Sequence, residues 1–115
     1  MRAQEFIVEG HWYRGISQKE YDNIMQGQLP QASSVPVYAD NEVSEHLGLS
    51  EEDVAAYEQE FQGKPVINLT KDRDNAKGYG ERLLWVDDSL VDLDLSPYGL
   101  VALDNLKNSV RWGIE

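Results

Sequence analysis

Apolar residues recur along the chain with two different periods. Between Ser17 and Gly27 they fall at Tyr21, Ile24 and Met25, spaced i, i+3 and i+4, which places them on one stripe of a helix. Ser17 and Glu20 have the S-x-x-E spacing of a capping box, in which hydroxyl and carboxylate each satisfy a backbone N–H left orphaned at the helix start. Gly27 suits a left-handed stop and Pro30 blocks continuation, so the pattern predicts a helix over 18–26. The helical period returns at Val54, Tyr57 and Phe61, with Ser50 as cap, Glu51, Glu52 and Asp53 in the first turn, and Gly63 and Pro65 at the end. A short helix between these two starts at Asp40 or Asn41 and ends at Gly48. Residues 28–39 hold two prolines and two serines, which predicts a loop carrying a short strand at Val35–Ala39.

Elsewhere the pattern is that of strands. Residues 5–14 mix β-formers with polar residues and predict one strand or two short ones, with Gly10 as a bend. Residues 65–70, 82–87, 99–103 and 109–114 are further β-rich runs, and 82–87 reads as buried for most of its length. A short helix capped by Asp72 or Thr70 runs to about Tyr79. The expectation is a single α+β domain over 1–115, with short helices in its N-terminal half and a mostly β C-terminal half.

Composition narrows the chemistry. The chain has 115 residues, a size that can bury an ordinary core unaided, and no cysteine, so disulfides, thiolate nucleophiles and cysteine metal sites are excluded. No apolar run near the N-terminus is long enough for a signal peptide, and none approaches a membrane span, so the expected setting is soluble and cytoplasmic with no membrane partner. The net charge of −11 argues against direct nucleic-acid binding, which needs clustered Lys and Arg.

That charge is unevenly placed. Residues 40–60 carry eight acids and no Lys or Arg, whereas residues 64–82 carry five bases against three acids. The acidic stretch reads either as a solvated face or as a surface for a basic protein partner. The locally basic one fits a small anion site.

Most general catalytic patterns are missing. The two histidines, His11 and His46, form no H-E-x-x-H, and there is no phosphate-binding P-loop, dinucleotide fingerprint or nucleophile elbow. Asp87, Asp88, Asp92 and Asp94 lack the glycine and terminal glutamate of a calcium loop, so no metal is expected there. His11 reads as a strand-surface residue and Trp12, Trp85 and Trp112 as core.

Two separated segments stand out. One is Y-R-G-x-S at Tyr13–Ser17, a strand end running into a helix. The other runs from Ile67 to Gly80: apolar-x-apolar-T-x-D, then Ala76, then Tyr79, followed by the strand at 82–87. Together they resemble the ADP-ribosyltransferase family, over about residues 10–95. The resemblance implies a split sheet with a central cleft that clamps NAD or a related nucleotide. It implies that Arg14 meets the nicotinamide ribose or a phosphate and that Gly15 lets the backbone approach the nicotinamide amide. It further implies that Thr70 lines the cleft and that Tyr79 stacks on the nicotinamide ring. Read without the resemblance, Arg14 is a surface ion-pair partner, Gly15 a turn, Thr70 a helix cap and Tyr79 a core residue.

The pattern departs from the family at one place. Active members carry a glutamate on a late strand, expected here near residues 96–104, and no glutamate lies between Glu81 and Glu115. The catalytic residue is therefore unassigned. Transfer of ADP-ribose to a macromolecule, retention of the nucleotide without turnover, and a non-catalytic acidic inhibitor of a basic partner all stay open.

Overall fold

The computed structural model describes residues 10–115. The strand expected at 5–14 therefore lies partly outside the described residues. In chain order the elements are β1 (His11–Ile16), α1 (Gln18–Met25), α2 (Asn41–Leu47), α3 (Glu51–Glu60), β2 (Val66–Thr70), α4 (Arg73–Lys77), β3 (Arg82–Asp87), β4 (Leu93–Leu95), β5 (Tyr98–Ala102), α5 (Leu103–Leu106) and β6 (Trp112–Ile114). The six strands form one antiparallel sheet in the order β4-β5-β2-β1-β3-β6. The result is a single α+β domain with helices concentrated in its first half, as the periodicity predicts.

The helix starts follow from their caps. The Ser17 hydroxyl accepts from the Glu20 N–H at the head of α1. Asp40 accepts from Glu42 and Val43 to start α2, and Gly48 closes it in the left-handed conformation. Ser50 and Asp53 complete a reciprocal capping box on α3. Asp72, not Thr70, caps α4 by accepting from Asp74 and Asn75, and that helix stops at Lys77, short of Tyr79.

Burial divides between the two faces of the sheet. On β1, Trp12 and Ile16 point into a core with Ile67, Leu69, Leu84, Val86, Val101 and Leu106. The other major cluster joins Val37, Tyr38 and Phe61 to Val66, Leu100 and Ala102, with Val54 and Tyr57 packed against it. The stripe read on α3 is thus the face that meets the sheet. Of the three tryptophans only Trp12 is fully buried; Trp85 and Trp112 are half-buried. His11 stacks on Trp85 at 4.7 Å between ring centroids, on the strand surface as expected.

Two expectations need correction. Val35–Ala39 is not a strand: Val37–Ala39 is a 3₁₀ turn in which Val37 and Tyr38 are both buried. A strand sends consecutive side chains to opposite faces, whereas a turn after Pro36 aims both into one core. The last strand covers Trp112–Ile114 rather than 109–114, because Asn108 takes a positive φ and the chain turns before pairing with β3. The acidic run 87–94 folds as a 3₁₀ turn at Asp88–Leu90 and the short strand β4, and each carboxylate has a partner within the chain. Asp87 accepts from Ser89, Asp88 from the Trp12 indole, Asp92 from Ala102 and Asn105, and Asp94 from Ser96.

Two glycines fix how α4 sits on β1. A Cβ on Gly15 would collide with the Ala76 carbonyl, and one on Gly80 with the Ile16 backbone. Backbone cannot swing aside as a side chain can, so Gly15→Ala and Gly80→Ala are each expected to cost about 3 kcal/mol, read as a lowered midpoint in denaturant unfolding. The pH dependence has a defined sign too. The Ser96 hydroxyl chiefly, with Ser96 N–H and Lys71, holds the Asp94 carboxyl below its ordinary 3.8. A depressed folded pKa adds stability above the unfolded value that is lost as pH falls through the folded one. The Tm gap between wild type and Asp94→Asn should be present at neutral pH and close as the pH drops below about 3.8.

Candidate functional site

The sheet has a seam. β1 and β3 share six register pairs and β2 and β5 share five, but β1 and β2 meet only at Tyr13 and Thr70. Away from that pair the edge of β2 has no strand beside it among the described residues. Ser33 takes the vacant place: its N–H donates to the Val66 carbonyl, and its hydroxyl accepts from the Asn68 N–H at 3.0 Å. The Arg14 guanidinium donates from Nη1 to the Ser33 hydroxyl at 3.0 Å and, more loosely, to the Asn68 carbonyl at 3.5 Å. The Asn68 side chain completes the knot by accepting from Val37 N–H and donating to the Val35 carbonyl. Side chains thus bridge the seam where a backbone ladder would otherwise run.

A cavity of about 400 Å³ opens at this seam, within the range that holds small organic ligands. Arg14, Gly15, Thr70 and Tyr79, the four residues singled out from the sequence, all line it. They come from β1, the end of β2 and the turn after α4, and their convergence rests on the seam and on the Gly15–Ala76 approach. The remaining wall includes Asp40, Asn68, Asn75 and Tyr98, and Val35, Val37 and Val43 supply an apolar side.

Each of the four has a definite environment. Arg14 is half-buried on β1 and its guanidinium donates to Ser33 and Asn68, so it is not a surface ion-pair residue. Its Nε is buried and has no hydrogen-bond partner among the described residues. Burial lowers its pKa and Glu20 opposes the shift, but an arginine starts so high that it stays charged. A charged, incompletely satisfied guanidinium at a cavity suits an oxyanion. Gly15 is there first for packing, since α4 occupies the space beside its Cα. Thr70 is buried and its Oγ1 accepts from Asp72 N–H, which leaves the hydroxyl proton to donate elsewhere. Tyr79 is 74% exposed, so the core reading for it fails: Ala76 fills the core position, and the tyrosine ring stands at the cavity with little to hold it.

Sequence reasoning missed Ser33, Asn68, Asp40 and Tyr98 as cavity or bridge residues. Asn68 had a legible signal, being a polar residue amid the β-rich run Val66–Thr70 whose other members are buried or half-buried. Ser33 and Asp40 had none, because only the seam gives a loop serine and a helix cap this second role. Residues 40–60 fold into α2 and α3, with their acids exposed and Asp40 and Asp53 engaged as caps. Among the described residues no cluster of metal-ligating side chains occurs, and no helix is long and apolar enough to cross a membrane. Comparison of the chain with family profiles, curated proteins and solved structures finds no match.

The bridge makes its own prediction. Asn68→Ala removes two hydrogen bonds and exposes the Val37 N–H and Val35 carbonyl to finding new partners. A loss of about 2 kcal/mol is expected, together with faster amide exchange at Val37 than at the β1–β3 ladder.

Proposed function

We propose that the seam cavity binds NAD or a closely related nucleotide. The observation that carries this reading is the convergence of Arg14, Gly15, Thr70 and Tyr79 on one cavity. They come from two segments far apart in the chain, and it is these segments that resemble the ADP-ribosyltransferases. In this reading the Arg14 guanidinium takes a phosphate or ribose oxygen, completing its hydrogen bonding, and the exposed Tyr79 ring stacks on the nicotinamide. Thr70 donates its hydroxyl proton to the ligand.

Retention without transfer is the form of the proposal that the wall of the cavity favours. The late strand on which the resemblance calls for a glutamate is β5, and its residue at the cavity is Tyr98. A neutral phenol cannot stabilise an oxocarbenium-like transition state as a carboxylate does, a contribution worth several kcal/mol in comparable electrostatic settings.

Calorimetry with NAD tests the reading, with nicotinamide release followed in the same samples. Tyr79→Ala is the sharpest variant because the ring is exposed and its loss leaves the core intact. Wild type should bind, Tyr79→Ala should bind about tenfold more weakly through loss of one stacking contact, and no nicotinamide should appear. Absence of binding by wild type, or equal binding by Tyr79→Ala, would overturn the proposal. Nicotinamide release would restore the transferase reading.

A further inference from the structure

Among the described residues the cavity wall contains one guanidinium, Arg14, and one carboxylate, Asp40. Asp40 is exposed and stands at the start of α2, where its Oδ1 accepts from Glu42 and Val43. Its Oδ2 accepts no hydrogen bond from the described residues. The cap therefore fixes the side chain by one oxygen, on a residue that lines the cavity.

Its surroundings suggest what that is. Asp40 follows directly on the 3₁₀ turn Val37–Ala39, and that turn is tied through Val37 N–H to Asn68, the residue whose carbonyl receives Arg14. The carboxylate thus belongs to the wall continuous with the Arg14 anchor, alongside Val35, Val37 and Val43, which offer an apolar face to a base. A dinucleotide has a ribose on each side of its phosphates. With the phosphates at Arg14, the half that extends along this wall brings its ribose hydroxyls toward Asp40. A carboxylate is an acceptor only, so a free diol satisfies it, whereas a phosphate on the same sugar brings anion against anion.

We propose that Asp40 is the residue that makes this cavity select a nucleotide with free ribose hydroxyls over one carrying an extra ribose phosphate. The inference rests on the nucleotide-binding reading above and adds to it a discriminating group. Net charge works in the same direction, since a chain at −11 repels a more highly charged ligand, and the two contributions separate by experiment.

The test measures NAD and NADP dissociation constants in parallel for wild type, Asp40→Asn and Glu42→Gln. Asparagine caps a helix about as well as aspartate, so Asp40→Asn removes the charge and keeps α2. Glu42→Gln makes the same change in net charge two residues away, at a residue outside the cavity wall. Wild type should prefer NAD. Asp40→Asn should shrink that preference by roughly fivefold or more, the scale of one charge contact in a solvent-accessible setting, and Glu42→Gln should leave it in place. Equal wild-type affinity for the two nucleotides overturns the inference. So does a preference unchanged within about twofold in Asp40→Asn, or one that falls as far in Glu42→Gln. Failure of wild type to bind either nucleotide instead removes the binding reading beneath it, so the two failures are distinct.

Discussion

The structure depends on how the edge of β2 is satisfied where β1 leaves it. Backbone N–H and C=O groups withdrawn from water without a partner are costly, and a sheet that parts must find other partners for them. Here Ser33, Arg14 and Asn68 supply those partners, and the loop they hold carries Val37 and Tyr38 into the core against α3. The cavity, the 3₁₀ turn and the place of α2 follow from that one substitution of side chains for a ladder. Arg14 is therefore both a structural tie and the cation of the cavity, and its unpartnered Nε is where those two roles meet.

Local rules were legible wherever the chain obeys them locally. Ser17, Asp40, Ser50 with Asp53, and Gly48 act at the termini where their chemistry places them, because a cap needs only its own helix. The strand at 82–87 was legible similarly, as a run of apolar residues, whereas its pairing with β1 was not. Expectations failed where a tertiary partner decides. Val35–Ala39 has strand-like composition, but two consecutive buried side chains at Val37 and Tyr38 require a turn. β4 is three residues long and exists because β5 is beside it; on its own Leu93–Asp94–Leu95 is too short to be read.

The site shows the same division. Arg14, Thr70 and Tyr79 were visible as residue types in a recognisable spacing, and they share one cavity. Tyr79 could not be placed on the surface or in the core from spacing, since Ala76 three residues earlier satisfies the same helical period and takes the buried position. Gly15 was read for a ligand, yet the Ala76 carbonyl already explains its missing side chain. Asp40 was read as a cap and as one acid of the 40–60 stretch, because its place on the same cavity as Arg14 arises through Val37 and Asn68, a route that spans three separate parts of the chain.

A sheet joined by a single register pair also has an unusual mechanical character. The β1–β3–β6 half and the β4–β5–β2 half each keep a complete ladder, and Tyr13–Thr70 is the one register pair between them among the described residues. The core of Trp12, Ile16, Leu84 and Val86 with Ile67, Leu69 and Val101 packs the halves together on one face, and at the seam the ties are the side chains of Arg14, Ser33 and Asn68. The longest of those ties runs 3.5 Å from Arg14 Nη1 to the Asn68 carbonyl. The width of the cavity is thus set by the lengths of side chains rather than by the uniform spacing of a backbone ladder.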